Sequence, residues 1–144
     1  MIGAIRIHSF GGPELMQWEQ VELGRPEAGE ITIRQTAIGL NFIDTYHRSG
    51  LYPLTLPAVL GTEAAGVVEA IGPGVNGFKI GDAVGYTGLP PGAYAEKRNW
   101  PAERTLKLPS GISAEVAASC MLKGLTAWYL LRRSYRVQAG DPVL

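Results

Sequence analysis

The polar side chains best placed to hold a ligand lie at one predicted loop-to-helix junction. Asn41 can cap a short helix, and Asp44, three residues later, favours the positive N-terminal end of that helix. Tyr46 and Tyr52 follow, and each phenol can donate a hydrogen bond from an otherwise apolar ring. Structural roles are available to all four residues, because helix caps and core tyrosines with a solvated hydroxyl are common. Local features alone favour those structural roles.

A zinc site is not indicated by the residue types. Zinc takes three or four Cys, His or carboxylate ligands at one point, whereas the sequence holds one cysteine, Cys120, and two histidines, His8 and His47. Each histidine is typical of a surface or hydrogen-bonded residue. Nothing in the spacing favours a mixed site that includes Glu63 or Asp44. We therefore predict that the chain binds no metal.

A glycine motif in the middle of the chain resembles a dinucleotide site only in its spacing. Gly72–Gly77 reads G-x-G-x-x-G and follows a candidate strand. In a true site the motif opens a helix, whose free N–H groups and dipole hold the pyrophosphate. Here an alternating, glycine-broken segment follows, and Pro73 has no N–H to donate. We predict a turn between two strands.

The composition is that of a folded globular protein without a strong net field. Hydrophobic residues make up 46% and charged residues 18%, and thirteen basic residues balance thirteen acidic ones. Neither nucleic acid nor a membrane is therefore indicated as a partner. No apolar run approaches the roughly eighteen residues that span a bilayer. The lone Cys120 is predicted to be a small core residue and fits a reducing cytoplasm, where we expect the protein to reside.

Short alternating segments predict a mainly β fold with short helices. The clearest strands are Met1–Ile7 and Ile31–Ile38, and shorter candidates cover 67–71, 82–86 and 93–96. Nineteen glycines and ten prolines separate them. Many short strands with frequent turns favour a closed or nearly closed barrel, since closure removes exposed sheet edges.

The pattern becomes helical after about residue 112. Ser113 can open a helix, and Gly124 is predicted to divide the segment into two helices. Apolar residues recur at three- and four-residue spacing, namely Ala118, Leu122, Leu125 and Tyr129. A turn is predicted at 138–141, and Pro142–Leu144 is predicted to begin an apolar strand.

Several ordered motifs resemble one known family across essentially the whole chain. The segments 37–46, 48–53, 60–68 and 122–131 are similar to bacterial quinone oxidoreductases related to zeta-crystallin, within the medium-chain dehydrogenase/reductase superfamily. In zinc-bearing alcohol dehydrogenases of that superfamily, the position resembling Asn41 is a cysteine and the one resembling Thr62 is a histidine. The resemblance therefore implies a zinc-independent member.

The resemblance implies an N-terminal portion of a two-domain enzyme. Residues 1–112 would form a GroES-like catalytic domain, and 113–144 would supply linking helices and the first strand of a truncated Rossmann domain. NADPH would bind between the domains, and hydride would pass to a quinone without a metal. The family implies a homodimer. This chain alone is expected to be inactive, because the Rossmann domain that grips the cofactor is missing from it.

The family also implies roles for particular residues. Asn41, Tyr46 and Tyr52 would be catalytic, with the Asn41 amide donating to the acceptor oxygen and the tyrosines lining the ring site. Lys123 would sit near a phosphate or ribose, and Thr126 near the nicotinamide. Cofactor contacts would come from two segments, comprising Asn41, Phe42, Ile43, Asp44, Thr45, Tyr46, Lys123, Thr126 and Tyr129.

Two other functions compete with quinone reduction. One is an enoyl-thioester reductase of the same superfamily, since the Asn41, Asp44 and Tyr52 pattern is shared. The other is a non-enzymatic GroES-like binding or assembly module. Such a module would carry a mobile apolar docking loop, and the short, charged segment 24–30 is a poor candidate for one.

Overall fold

The computed structural model describes residues 1–143 as eight strands and two α-helices. In chain order these are β1 Ile2–Ile7, β2 Gln17–Val21, β3 Glu30–Gly39, α1 Phe42–Ser49, β4 Ala58–Val59, β5 Glu63–Ile71, β6 Ala83–Thr87, β7 Lys97–Pro101, β8 Leu106–Lys107 and α2 Ala114–Tyr129. Two 3₁₀ turns, Pro13–Leu15 and Ala102–Arg104, precede β2 and β8, and a π-helical turn, Leu130–Ser134, extends α2. The predicted class, mainly β with short helices, is confirmed.

The strands form two antiparallel sheets. One has the order β2-β1-β4, and the other has the order β7-β3-β5-β6-β8. The longest strand pair of the second sheet is β3–β5, which runs from Ile31 opposite Ile71 to Gly39 opposite Glu63. Its far end therefore carries Glu63 to the position where the chain leaves β3 for α1.

The predicted strand at Ala93–Glu96 is wrong as a regular strand, but its backbone joins the two sheets. Ile5 N–H donates to Tyr94 O at 2.7 Å, and Glu96 N–H donates to Gly3 O at 2.9 Å. Regular pairing in this region begins only at β7, where residues Lys97–Pro101 pair with β3. These cross-links between β1 and the β7 side close the barrel partway.

The main core is formed by side chains of the larger sheet, from β3, β5, β6 and β7, together with residues of the loops that connect its strands. Tyr86 and Trp100 stack with ring centroids 4.7 Å apart. The Arg98 guanidinium lies 4.1 Å from the Trp100 ring, which gives a buried cation an aromatic partner. Aliphatic side chains fill the remaining space, chiefly Ile31, Ile33, Val68 and Val84.

Helix α2 is continuous, so the predicted division at Gly124 is wrong. Its start is as expected, because Ser113 Oγ accepts from Val116 N–H at 3.3 Å. The predicted apolar stripe is buried only at its start: Ala118, together with Ala117, packs on Ala65 of β5, with Met121 beside them. Alanines bring the helix backbone close to the sheet. Larger members of the predicted stripe, Leu125 and Tyr129, are exposed, and so is Cys120, which was predicted to lie in the core.

The glycine motif forms the turn between β5 and β6, as predicted. Gly74 and Gly77 adopt φ angles of 78° and 84°, which favour glycine, and no helix follows them. A turn also forms at 138–141, where Asp141 N–H donates to Gln138 O at 3.2 Å. Residues 142 and 143 are not in a strand, and Leu144 lies outside the described residues. Within residues 1–143, no helix is long and apolar enough to cross a bilayer.

An apolar surface, which we define as Leu125 and Trp128 of α2 and Leu131 of the π-helical turn after it, is exposed. We expect the isolated chain to self-associate through it, because contiguous apolar surface drives association. Light scattering should show a larger mean mass for the parent than for a Leu125→Glu, Trp128→Lys variant. Ile80→Ser, which removes a single exposed apolar residue of the barrel, is the control and should leave the mass unchanged. A parent that stays monomeric at high concentration would contradict the prediction.

Candidate functional site

The site lies at the junction between β3 and α1, where hydrogen bonds between neighbouring residues cap the start of α1. Asn41 occupies the N-cap position in an extended conformation, as predicted. Its N–H donates to Asp44 Oδ2 at 3.0 Å, and Asp44 N–H donates back to the Asn41 carbonyl at 3.0 Å. The carboxylate thus satisfies an N–H at the helix start. Gly50 ends the helix with φ 84°, the left-handed geometry of a C-cap.

The Asn41 side chain bonds to two residues outside helix α1. Its Nδ2 donates to Glu63 Oε2 at 2.7 Å, and its Oδ1 accepts from Lys123 Nζ at 3.0 Å. The other oxygen of Glu63 accepts from the Leu122 backbone N–H at 2.7 Å. Three separate elements, the β3–α1 junction, β5 and α2, therefore meet at one amide.

Asp44 joins a second set of hydrogen bonds at the same junction. Its Oδ1 accepts from Thr62 Oγ1 at 3.1 Å, and its Oδ2 accepts from the Tyr94 hydroxyl at 2.9 Å. Burial, reinforced by the Asp44 carboxylate, raises the pKa of Tyr94 well above its usual value of about 10. Tyr94 therefore stays a hydrogen-bond donor, and Asp44 is held in place from two sides.

Gly39 allows the site to close. A Cβ at this position would lie 2.8 Å from Glu63 Cδ, and closer still to Glu63 Oε2 and the Ala118 carbonyl oxygen. The residue sits at the end of β3, directly between β5 and α2. Only glycine lets the Glu63 carboxylate and the α2 backbone approach here.

The predicted aromatic residues cluster on and beside α1. The Tyr46 ring meets Phe42 and Tyr52 edge to face, with centroids 5.2 and 5.3 Å apart. Phe42 is 73% exposed and Tyr52 49% exposed, so the cluster presents an aromatic surface to solvent next to Asn41. Such a surface can line a planar ligand. Thr45 instead bonds its own helix, through Oγ1 to the Phe42 carbonyl at 2.7 Å.

His47 differs from its predicted role as a surface or hydrogen-bonded histidine. It is 3% exposed, and its Nδ1 has no hydrogen-bond partner in the described part of the chain. The ring packs against Tyr52, with centroids 6.2 Å apart. Burial lowers the pKa of His47 below its ordinary value, and the nearby Asp44 charge only partly opposes this shift.

This shift predicts a pH-dependent stability. Since the unfolded chain binds a proton more readily than folded His47, the free energy of unfolding should fall as pH drops through about 6.5, the unfolded value. Urea denaturation from about pH 8 to about pH 5 should show this loss. In His47→Gln the same part of the curve should be flatter. An unchanged slope in His47→Gln would mean that another group carries the pH dependence.

The predicted cofactor residues of α2 divide into two groups. Lys123 joins the junction through Asn41. Thr126 Oγ1 donates to the Leu122 carbonyl of its own helix at 2.8 Å, and Tyr129 is exposed. The structure thus brings Lys123 to the site, whereas Thr126 and Tyr129 lie one turn or more further along α2. Their contacts to a cofactor stay predictions.

The donor set does not fit zinc. At the two positions that resemble zinc ligands, Thr62 donates its hydroxyl to Asp44, and the Asn41 amide lies between Glu63 and Lys123. A neutral amide and a hydroxyl are poor substitutes for thiolate and imidazole. The Lys123 ammonium would also repel a cation bound beside Asn41. Within residues 1–143, no three His, Cys, Asp or Glu residues are grouped to hold a metal ion.

Sequence reasoning assigned no role to Tyr94. Its bond to Asp44 spans 50 residues, and nothing in its local sequence signals it. Glu63 serves as a hydrogen-bond acceptor, from the Asn41 amide and from the Leu122 N–H. The link between Glu63 and Asn41 could be inferred only by knowing that β3 and β5 pair end to end.

The partly closed barrel, the capped helix α1 and the helix α2 packed on β5 are features of one protein family. Residues 27–110, more than half of the chain, match the alcohol dehydrogenase GroES-like domain, and the chain belongs to that family. Within the family it is similar to quinone oxidoreductases: it is 48% identical to that of Pseudomonas aeruginosa, over 100% of this chain and 45% of the relative. It is also 48% identical to a 2-haloacrylate reductase from Burkholderia, over 100% of this chain and 45% of the relative.

Solved structures give the same result. The quinone oxidoreductase of Pseudomonas syringae superposes with a TM-score of 0.95 at 48% identity, over 98% of this chain and 44% of that one. That of Escherichia coli, complexed with NADPH, gives 0.92 at 47% identity, over 94% and 42%. The chain thus spans less than half of these relatives. The predicted GroES-like fold and the resemblance to quinone oxidoreductases are confirmed.

Proposed function

We propose that this chain supplies the acceptor side of the active site in an NADPH-dependent quinone oxidoreductase that works without a metal. The observation that carries the proposal is the Asn41 amide, held between Glu63 and Lys123 beside an exposed aromatic surface. The 48% identity to quinone oxidoreductases across the whole chain supports it. The comparisons do not favour a non-enzymatic assembly module.

NADPH, when bound, supplies a hydride, which carries two electrons to the quinone, and a proton from solvent completes the hydroquinone. The Asn41 amide has two N–H groups, and one is used by Glu63. We propose that the second donates to the acceptor oxygen as negative charge develops there. Tyr46 and Tyr52 would hold the ring and exclude water.

The nicotinamide end of the cofactor fits the residues present. The exposed ring of Phe42, which meets the partly buried ring of Tyr46, can face a planar ring, and Phe42 directly follows Asn41 in the chain. We therefore keep the segment Asn41–Tyr46 and the α2 residues Thr126 and Tyr129 as the proposed contacts. The bond of Lys123 to Asn41 argues against its predicted contact with a phosphate or ribose. The E. coli relative, solved as an NADPH complex, supports this choice of cofactor.

Zinc independence is part of the proposal. A quinone is already a good electron acceptor and needs positioning more than Lewis-acid activation. Elemental analysis of the tag-free protein should find far less than one zinc per chain, because Asn41 and Thr62 replace the ligating residues. Stoichiometric zinc that survives dialysis would contradict this part of the proposal.

A second candidate is reduction of an activated carbon–carbon double bond. It is favoured by the 48% identity to a 2-haloacrylate reductase, equal to that of the quinone oxidoreductases. Hydride would add to the alkene carbon and a proton to its neighbour, with the Asn41 amide stabilising charge on the conjugated oxygen. The same site residues would serve both reactions.

One experiment separates these functions. In a chimera, this chain replaces the matching segment of the P. aeruginosa quinone oxidoreductase, and NADPH oxidation is followed with a benzoquinone, 2-chloroacrylate or an enoyl-CoA. We expect the quinone to be the best acceptor by kcat/KM. Preference for another acceptor would overturn the proposal. The 144-residue chain alone is expected not to exceed the uncatalysed rate, because binding energy from the remote parts of the cofactor aligns the ring.

The remaining expectations concern organisation and location. We propose a domain boundary near residue 112, a homodimeric complete enzyme and a cytoplasmic location, with no nucleic-acid partner. The boundary is supported by the change from strands to α2, which starts at Ala114. Limited proteolysis and size-exclusion chromatography of the chimera test the boundary and the dimer.

A further inference from the structure

The ammonium of Lys123 and the carboxylate of Glu63 contact opposite ends of the same amide. Lys123 Nζ lies 3.0 Å from Asn41 Oδ1 and 3.4 Å from the Leu40 carbonyl, and it is 3.9 Å from Glu63 Oε2. Glu63 Oε2 lies 2.7 Å from Asn41 Nδ2. The three side chains form a closed triangle of contacts.

This triangle admits one orientation of the Asn41 amide. The amide oxygen can only accept and the amide nitrogen can only donate, while an ammonium only donates and a carboxylate accepts. A flipped amide would point N–H groups at the Lys123 ammonium and its oxygen at Glu63. Both contacts would then be repulsive, and the direction of the second N–H is therefore determined.

Burial makes the arrangement stiff. Glu63 is fully buried, and both of its oxygens accept hydrogen bonds, from Asn41 and from the Leu122 N–H. A buried carboxylate needs such partners, because losing one costs far more inside the protein than in water. Lys123 contributes a compensating positive charge from a half-exposed position on α2.

We infer that Lys123 and Glu63 are positioning residues that hold the free N–H of Asn41 toward the acceptor. Lys123 then acts through Asn41 rather than by binding a phosphate or ribose of the cofactor. The inference rests on the proposed function for its kinetic consequence, but the orientation of the amide can be measured without activity. If Lys123 and Glu63 position Asn41 in this way, the rate of hydride transfer depends on the packing of α2 against the barrel, because α2 supplies both Lys123 and the Leu122 N–H.

The structural test uses the chain as it is. In two-dimensional NMR of Lys123→Met, the side-chain amide resonances of Asn41 should shift or broaden, because the oxygen loses its partner. Lys123→Arg should restore a guanidinium donor and largely retain the parent resonances. The matched control is Lys97→Met, which removes a lysine of β7 that is paired with Glu69 at 2.7 Å. Unchanged Asn41 resonances in Lys123→Met would overturn the inference.

The kinetic test uses the chimera described above. Lys123→Met should lower kcat about tenfold or more with little change in KM for NADPH, since a misdirected donor costs rate rather than cofactor binding. Lys123→Arg should recover part of the rate, and Lys97→Met should match the parent. A raised KM for NADPH with an unchanged kcat would instead assign Lys123 to the cofactor. If the chimera reduces no acceptor, the proposed function fails, while the NMR result still decides the orientation of the amide.

Discussion

Asn41→Ala in the chimera is expected to lower kcat/KM for quinone about 100-fold, the usual cost of removing one donor to a developing oxyanion. The alanine removes the N–H proposed for the acceptor and leaves Glu63 and Lys123 without their shared partner. The backbone bonds between residue 41 and Asp44 remain, so the helix start should persist. Stopped-flow or steady-state oxidation of NADPH measures the effect.

The matched control for this variant is Asn76→Ala. Asn76 lies in the exposed β5–β6 turn, and its amide donates to the nearby Gly74 carbonyl at 3.3 Å. Its kinetics should equal those of the parent. If Asn41→Ala kept normal kinetics but melted at a clearly lower temperature, Asn41 would be a structural cap and the proposed site would be wrong.

Gly39→Ala is expected to destabilise the chain by about 3 kcal/mol, near the upper end for adding one carbon to a tightly packed position. The new Cβ would overlap the Ala118 carbonyl oxygen and the Glu63 carboxylate, and neither the α2 backbone nor a fully buried side chain can move freely. Relief requires α2 to lift from the barrel, which would also separate Lys123 from Asn41. Urea denaturation of the chain measures the loss.

The same substitution at Gly124 is the control. Gly124 lies inside α2, and apart from its own helix backbone and chain neighbours, no heavy atom of residues 1–143 lies within 4 Å of a Cβ built on it. Gly124→Ala should therefore stabilise the chain by about 0.5–1 kcal/mol, the helix preference for alanine. If both variants changed the free energy of unfolding by similar amounts, the close approach at Gly39 would not contribute to stability.

Features encoded by near neighbours could be predicted from the sequence. The start of α1 needs only Asn41 and Asp44, three residues apart, and the start of α2 needs only Ser113 and the helix that follows it. The turn at Gly72–Gly77 was distinguished from a dinucleotide site by the alternating residues after it. Ordered motifs over the whole length were enough to indicate the family, which the match over residues 27–110 confirmed.

Strand prediction failed where polar residues face inward. β7 reads Lys-Arg-Asn-Trp-Pro, and its inner face carries Arg98 beside Trp100. A buried arginine hides the alternation. Its guanidinium is accommodated by the rings of Trp100 and Tyr86 and by hydrogen bonds to the Pro90 and Pro91 carbonyls. The buried face of α2 was predicted correctly only at Ala118, because α2 packs closely on β5 through Ala117 and Ala118 while Leu125 and Tyr129 stay exposed.

The sequence by itself determined the family, the capped start of α1 and the residue types available for chemistry. Tertiary structure decided which of those residues act together. The bond from Asn41 to Glu63 spans 22 residues and the bond to Lys123 spans 82. Contacts over such separations leave no local pattern in the sequence, because a side-chain amide can bond to many partners. The β3–β5 register and the close approach at Gly39 bring Glu63 and Lys123 to the Asn41 amide.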